Sequence, residues 1–465
     1  MKDKNSNIIQ NGSIIKSILY LILPIMLFML FNSVYVNIDK FFIAGIDRTN
    51  SFYPAAVQVV FPFYFLIVGL SYLFQIGINS LVSRSIGRKD YKYISESVKT
   101  VFIVMLIISF FIIALCSLFT DIILNILGAG PNIFPYAKSY FSFIIPTILF
   151  ILFNGVCAGY LLGQGYNRKV MIINVLANII NIVLDPLFIY GYSIFPKMGL
   201  AGASFATMIS LIIASILYIK IIYSPKVEKI LVLDKLNINI KGLKETFSVG
   251  FSGAFNPMVH SLTFLILNNV IVKIDERAFA PLSIVAAIAN FGLLPSAAMF
   301  SAHITLIGQN YGAGKMERVK KALIVNPILL FTTMLIIGGF LYIFAEPLVR
   351  IFTEDQYTIE QGKLYMHIET LTYCFVGIEE ITRASFTGLG KSIRPIIQIL
   401  VRYFVFFIPS FFLFVYVFKL EVNSIWLSLA FSNVASGLFG LLFFSYWYSK
   451  KFSKSKPLTE LSISK

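Results

Sequence analysis

The sequence predicts an all-α integral membrane protein with twelve transmembrane helices, in two six-helix bundles related by a pseudo-twofold axis along the membrane normal. Three observations predict this fold class. Of the 465 residues, 58% are hydrophobic and only 13% are charged, with mean hydropathy +0.83. Apolar runs of about 20 residues or more, enough to cross a bilayer, recur along the whole chain. Two polar motifs also recur at one fixed separation, which indicates duplicated halves.

The apolar runs predict twelve spans with polar or basic connections. In chain order they cover residues 15–45, 53–82, 94–120, 134–162, 168–191, 199–222, 246–272, 279–309, 322–345, 361–388, 393–418 and 423–449. The polar N-terminus leads directly into the first span, so we expect no cleavable signal peptide. Cys116, Cys157 and Cys374 lie in apolar runs without metal-binding spacing, and we expect them to be packing residues.

The net charge of +16 is distributed as a topology signal rather than as a nucleic-acid surface. Basic residues concentrate at both termini and in alternate loops, namely Arg84–Lys92, Arg168–Lys169, Lys220–Lys244, Lys315–Lys321 and Lys391–Arg394. The intervening loops carry one or two each. This pattern predicts a multi-pass protein of the cytoplasmic membrane with both termini in the cytoplasm. The excess charge also favours anionic membrane lipid as a partner, and we expect no nucleic acid.

An internal repeat divides the chain. Gly87 in IGRKDYKYISESVK aligns with Gly312 in YGAGKMERVKKAL, and Gly163 in GYLLGQGYNRKV aligns with Gly388 in SFTGLGKSIRPI, both at an offset of 225 residues. The longest polar stretch lies between the halves. We therefore expect an N-terminal bundle (residues 1–222), a cytoplasmic linker (223–244), a C-terminal bundle (245–450) and a cytoplasmic tail (451–465).

The fifth predicted span carries a polar face. Asn174, Asn178, Asn181 and Asp185 are spaced by four, three and four residues, which places all four on one side of a helix. Pro186 follows and removes a backbone hydrogen bond. Asparagines of this kind also join helices in membranes, and that alternative stays open for each of them. A carboxylate at this depth is expensive and indicates a functional site.

A second acid, Asp39, lies in the first predicted span. It precedes Gly45 by six residues, as Asp185 precedes Gly191, so both carboxylates are expected about 9 Å below the outer end of their helices. Two acids at matched depth predict one shared site for a proton or Na⁺. The alternative for Asp39 is a salt bridge with Lys40, although neighbouring helical residues point apart.

Two further residues of the first span extend this interpretation. Asn32 lies two turns before Asp39 on the same face and continues the polar surface. Pro24, nearer the cytoplasmic end, is expected to kink the helix, as Pro186 is in the fifth span.

The run Asn174–Ser210 (NVLANIINIVLDPLFIYG…PKMGLAGASFATMIS) resembles the fifth and sixth spans of the MATE family, the multidrug and toxic compound extrusion antiporters. GQNYGAGKMERVKKAL resembles the family's loop after the eighth span. The resemblance covers essentially the whole chain and is closer to the MepA-like and DinF-like branch than to the NorM-like branch. It implies multidrug efflux of small organic, often cationic, compounds, driven by inward flow of H⁺ or Na⁺ and without a cofactor.

The resemblance also implies roles for individual residues. Asp39, Asn181 and Asp185 match the family's ion-coupling residues in the first and fifth spans, and Thr207 matches its hydroxyl position in the sixth. NorM-like relatives have an acid in the seventh span, and none is found there in this sequence.

The C-terminal half offers a different set of polar residues. Glu379 and Arg383 in the tenth span have the spacing of an intrahelical ion pair, while Glu380 faces about 100° away and is expected to be freer to meet a cationic substrate. Asn256 and His260 in the seventh span are further substrate-binding candidates, although a single histidine is more often a hydrogen-bonded core residue.

Two other functions are alternatives to an exporter. A flippase for lipid-linked saccharides of the same superfamily would favour a more basic cavity. A membrane enzyme would need a catalytic cluster, but the three histidines are scattered, and no phosphate-binding loop for ATP is present. We therefore expect an exporter of small organic molecules that is a monomer and not an enzyme.

Overall fold

The structure is a computed structural model that describes residues 4–46, 52–192, 194–225, 227, 230–231, 237–274, 278–391 and 393–452. Within these residues the regular structure is entirely helical. The long helical segments of this part are α1 (Ile14–Ala44), α2 (Phe52–Gly87), α3 (Tyr91–Leu118), α4 (Phe134–Gly163), α5 (Asn167–Tyr190), α6 (Leu200–Ile222), α7 (Ile240–Ile274), α8 (Phe279–Gly292 and Leu294–Gly312), α9 (Met316–Ile343), α10 (Gln356–Glu369 and Tyr373–Gly388), α11 (Ile393–Val417) and α12 (Asn423–Phe452).

These segments confirm the all-α membrane fold predicted from the sequence. Among the described residues, nine helices are long and apolar enough to cross a membrane, and the two arms of α8 make a tenth when they are counted together. The arms of α10 contain 14 and 16 residues, and each is shorter than the about 20 residues that a span needs. The three cysteines are free and buried, as expected for packing residues.

Three of the predicted continuous spans contain a break or an irregular turn. The arms of α8 differ in direction by 43°, and Pro295, which lacks an N–H, lies in the first turn of the second arm. In α10 a 3₁₀ turn at Thr370–Thr372 separates the arms. There the hydroxyls of Thr370 and Thr372 donate hydrogen bonds to backbone carbonyls of the preceding turn. In α11 two π-helical stretches flank Pro409, whose missing donor disrupts regular pairing.

The chain forms two compact units. The first consists of Met1–Met258, Ser301–Val325 and Thr387–Ile393, and the second consists of Val259–Phe300, Asn326–Phe386 and Arg394–Lys465. The first unit therefore contains α1 to α6 together with segments from the second half of the sequence. The domain boundaries expected from the sequence stay a prediction.

The repeat is visible in how two helix-end glycines pack in the first unit. A Cβ on Gly163 would lie 3.0 Å from the Asn79 carbonyl oxygen and 2.8 Å from Cβ of Val82. A Cβ on Gly388 would lie 3.2 Å from the carbonyl oxygen of Ile304 and 3.1 Å from Cβ of Ile307. Residues 304 and 307 follow 79 and 82 by the same 225 positions, so the offset found in the sequence recurs in the contacts.

Candidate functional site

The polar face of α5 is partly enclosed by α1 and α6, which pack against it. Asp185 is fully buried and Asn181 is 1% exposed, whereas Asn174 and Asn178 are half-buried. The Asn181 side-chain amide donates a hydrogen bond to Asp185 Oδ1 at 3.2 Å. The face is therefore half-buried at Asn174 and Asn178 and fully buried at its carboxylate end.

The structure brings Asp39 of α1 and Asp185 of α5 together. Their carboxyl groups lie within hydrogen-bonding reach of each other. Asp185 Oδ2 and Asn181 Oδ1 are buried and accept no hydrogen bond from any residue that the structure describes. Two carboxylates this close repel each other when both are ionised, and a bound proton or small cation removes that repulsion. Unused oxygen acceptors beside them suit a hard cation such as Na⁺ equally well.

Three tyrosines surround the pair, and sequence reasoning missed them. Tyr35, Tyr64 and Tyr140 lie within electrostatic range of Asp39, and the first and last also reach Asp185. Tyr35 had a detectable signal, because it lies four residues before Asp39 on the same helical face. The other two come from α2 and α4, and nothing in their local sequence distinguishes them from other aromatic residues of apolar spans.

The remaining asparagines of the polar face are paired with neighbouring helices. The Asn178 amide donates to Asn32 Oδ1 at 3.2 Å, which joins α5 to α1. The Tyr218 hydroxyl of α6 donates to Asn174 Oδ1 at 3.1 Å. These bonds match the helix-joining alternative for the amides, yet all four groups remain along one continuous polar surface.

For Thr207, Pro24 and Pro186 the structure gives only their positions and contacts within their own helices. The Thr207 hydroxyl donates to the carbonyl of Ala203 in its own helix at 3.0 Å. The role that the family resemblance implies for it at the carboxylate pair stays a prediction. Pro24 lies inside α1, and α5 continues four residues beyond Pro186 to its end.

A second buried polar cluster lies in the second unit, where α10, α11 and α12 meet. Glu379, 1% exposed, accepts hydrogen bonds at Oε2 from Arg402 Nη1 at 2.5 Å and from the Ser436 hydroxyl at 2.9 Å. Arg402 Nη2 also donates to Asn433 Oδ1 at 2.7 Å, and Arg383 Nε lies 3.6 Å from Glu379 Oε1. Each carboxylate oxygen of Glu379 is thus close to a guanidinium group. Sequence reasoning missed Arg402 as a partner of Glu379.

The C-terminal candidates from the sequence have mixed outcomes. Glu380 forms an ion pair with Arg383 three residues later, but its side chain stays 21% exposed against 1% for Glu379, and its role in binding a cationic substrate stays a prediction. Consecutive acids can share one long arginine side chain, which a projection of helical directions does not capture. The side chains of Asn256 and His260 lie outside the described residues.

Another cluster that the sequence did not reveal joins α2 to α7. Arg84, 4% exposed, forms an ion pair with Glu245 and donates to the Ser80 hydroxyl and to the Thr387 carbonyl. The Tyr93 hydroxyl donates to the second oxygen of Glu245 at 2.7 Å. The sequence indicates no more than that Arg84 is one of the basic residues of a loop. Its burial identifies it as part of the packing between helix ends.

Comparison with known proteins gives the family. The family model described as MatE matches residues 24–187 and 254–413, once in each half of the chain. The chain is 28% identical over 344 residues to the probable multidrug resistance protein NorM of Thermotoga maritima, which covers 73% of each protein. It is 25% identical over 413 residues to the multidrug export protein MepA of Staphylococcus aureus, which covers 86% of this chain and 88% of that one.

A solved structure agrees with the fold. The structure described as an outward-facing conformation of a multidrug resistance MATE family transporter of the MOP superfamily superimposes with a TM-score of 0.89 and 23% identity, over 97% of this chain and 99% of that one. The fold, the two family matches and the multidrug-resistance relatives agree with one another. The chain therefore belongs to the MatE family, and it is a multi-pass membrane transporter rather than an enzyme.

Proposed function

We propose that this transporter is an antiporter that exports small organic, often cationic, compounds across the cytoplasmic membrane by alternating access, driven by inward flow of H⁺ or Na⁺. The observation that carries this proposal is the close approach of Asp39 to the buried Asp185, beside the unused acceptor oxygens of Asp185 and Asn181. The names of the relatives, which include a multidrug export protein, support the class of substrate.

The carboxylate pair would couple ion uptake to a change of shape. A ligand shifts a conformational equilibrium only by binding one state more tightly than the other. When the pair is empty and ionised, enclosing it between α1 and α5 is costly because two charges would be held in a dry site. A proton or Na⁺ removes that cost, so the loaded protein favours the state in which the helices close around Asp185.

Organic cations would bind along the half-buried part of the same bundle. The amides of Asn32, Asn174 and Asn178 provide hydrogen-bonding groups there. Tyrosine rings attract flat cations through their faces, and Tyr35 and Tyr140 lie beside the acids. A bound ion and a bound drug would then compete for one charge environment, which is what exchange requires.

The direction of transport follows from the predicted topology. With both termini cytoplasmic, the Arg84–Glu245 ion pair lies at the inner ends of α2 and α7. The contacts of that pair would hold the inner side closed and would break when the protein opens to the cytoplasm to receive substrate.

The test is transport in proteoliposomes with the pH gradient and the Na⁺ gradient imposed separately. We expect a fluorescent organic cation to move against its gradient when one of the two ion gradients is present, and to stop when that gradient is collapsed. Asp185→Asn at matched protein level is the control. Transport that ignores both gradients would contradict antiport, and the gradient that drives it identifies the ion.

A further inference from the structure

The short helix Lys4–Asn11 precedes α1 and ends beside the loop between α8 and α9. The last carbonyl groups of any helix lack partners within the helix. Here side chains from the region around the α8–α9 loop donate the missing hydrogen bonds. The Ile9 carbonyl accepts from Arg318 Nη2 at 3.0 Å and from the side-chain amide of Asn310 at 3.2 Å. Arg318 Nη1 donates to the Gly12 carbonyl at 2.7 Å.

A second cation reinforces this contact. Lys315 Nζ donates to the Gln10 carbonyl at 3.2 Å and to Asn11 Oδ1 at 2.6 Å. Positive groups at a helix C-terminus interact favourably with the negative end of its dipole. Arg318 is itself held in place, since its Nε donates to Asn310 Oδ1 at 3.0 Å. Asn310, Lys315 and Arg318, at and beside the loop between α8 and α9, therefore hold the helix Lys4–Asn11 through hydrogen bonds and through favourable charge.

The other side of the short helix is seated on the first half of the chain. Ile9 is fully buried and lies against Gly165, a glycine with φ +83° between α4 and α5, where an added Cβ would overlap the Ile9 side chain. The Ser17 hydroxyl of α1 donates to the Ile8 carbonyl at 2.7 Å. The helix thus touches both halves of the sequence within the first compact unit.

Beneath this helix, α2 and α8 meet almost backbone to backbone. A Cβ on Gly308 would overlap the Ser83 hydroxyl, and a Cβ on Gly312 would overlap the Arg84 carbonyl. Ser83 is fully buried by this contact. The short helix contacts both Arg318 and Gly165. If the ends of α2 and α8 separate, the short helix must therefore lose one of these two contacts.

We infer that the helix Lys4–Asn11 is a strap that holds the α8–α9 loop to the N-terminal half and must release before the inner ends of α2 and α8 separate. The inference rests on the alternating access proposed above. The strap sets how often the inner side opens, whereas the carboxylate pair sets which ion drives the cycle. Variants of the strap should therefore change opening without changing the ion requirement.

The test measures opening directly and needs neither ion gradient nor drug. In a variant without the three native cysteines, Ser83→Cys reports exposure through its rate of reaction with a soluble maleimide in detergent. Arg318→Ala removes the two charge-assisted hydrogen bonds to the carbonyls of Ile9 and Gly12 and should raise that rate about tenfold. Lys320→Ala is the matched control, because Lys320 lies on the same helix and pairs with exposed Glu317; its rate should change less than about twofold.

Ile9→Val keeps the inference testable if Arg318→Ala folds poorly. It removes one methylene from the seat on Gly165 and should raise the labelling rate about threefold with little loss of folding. Rates for both variants that equal the Lys320→Ala rate would overturn the strap. Because labelling is independent of transport, a failure of antiport in proteoliposomes would leave this result unaffected.

Discussion

The two halves of the transporter bury carboxylates in opposite surroundings. In the N-terminal half, Asp39 and Asp185 lie beside each other with an amide and tyrosine hydroxyls, and Asp185 Oδ2 accepts no hydrogen bond within the described residues. In the C-terminal half, Glu379 is held by Arg402 and lies beside Arg383. The second cluster contains two guanidinium groups, from Arg383 and Arg402, whereas the first contains a second carboxylate.

The repeat allows corresponding positions of the two halves to be compared. Glu379 and Asn154 are 225 residues apart, and each is bound by a serine from the last helix of its half. Asn154 Oδ1 accepts from the Ser215 hydroxyl at 2.8 Å, as Glu379 accepts from Ser436. The residue that corresponds to Arg402 in the first half is Ala177. The C-terminal half thus places a guanidinium group of its own beside its buried carboxylate, whereas in the proposed function the coupling ion neutralises the N-terminal pair.

The largest effect is expected for substitutions of the carboxylate pair in the N-terminal half. Asp39→Asn and Asp185→Asn each remove the charge that ion binding neutralises, so gradient-driven export should fall about 100-fold or more in either variant. The double variant should be no worse than either single one, since the two groups act as a unit. Efflux from proteoliposomes, with equal amounts of folded protein, measures this.

Substrate binding separates loss of coupling from loss of structure in these variants. We expect drug affinity to survive better than transport, because the drug and ion sites need not share every group. Near wild-type efflux in either single variant would show that the carboxylate pair is not the coupling site.

The next largest effect is expected for the Glu379 cluster of the C-terminal half, where a substitution should reduce stability first. Arg402→Met leaves the buried Glu379 carboxylate without its closest cation, and removal of one partner of a buried pair costs about 3–5 kcal/mol. We expect a large fall in thermal stability in detergent. The requirement for an ion gradient should remain unchanged in whatever protein folds.

A compensating variant makes that prediction specific. Glu379→Gln combined with Arg402→Met removes both charges and should recover most of the lost stability, because no uncompensated charge is left. A double variant as unstable as Arg402→Met alone would indicate that Arg402 acts through packing rather than through its charge.

The sequence was informative where the pattern was local. The four-three-four spacing in α5 correctly placed Asn181 beside Asp185, since one helix determines that distance. The closeness of Asp39 and Asp185 followed from matched depth in two helices that run the same way. The Glu379–Arg402 contact was not predictable, because no matched depth or shared motif relates the two residues, and Arg402 lies in a π-helical stretch of α11 where regular helical spacing does not apply.

A smaller effect concerns the tyrosines at the carboxylate pair. Tyr64→Phe removes a hydroxyl near Asp39 and keeps the ring, so the apparent affinity for the coupling ion should change by about fivefold. Drug affinity, which depends on the ring, should be nearly unchanged. The ion dependence of efflux measures the first quantity, and equilibrium binding of a fluorescent cation measures the second.

Tyr72→Phe is the matched control for this change, because Tyr72 lies two turns further along α2. An equal shift of the ion dependence in both variants would indicate an effect on the helix as a whole rather than on the pair.

The last comparison concerns the serine contacts of Asn154 and Glu379, which are corresponding residues of the two halves. Ser436→Ala removes a hydrogen bond to a charged carboxylate, which contributes about 1.5–3 kcal/mol, whereas Ser215→Ala removes one to a neutral amide, which contributes about 0.5–1.5 kcal/mol. Both serines are buried and both also lie within bonding distance of a carbonyl in their own helix, so the two substitutions differ chiefly in the charge of the partner. Unfolding in detergent should therefore show the greater loss for Ser436→Ala. Adding Glu379→Gln to Ser436→Ala should reduce that loss to the level of Ser215→Ala, because the partner is then neutral in both halves. Equal losses for the two single variants would mean that Glu379 is already satisfied by Arg402 alone, and that the charge of the partner adds nothing to the serine contact.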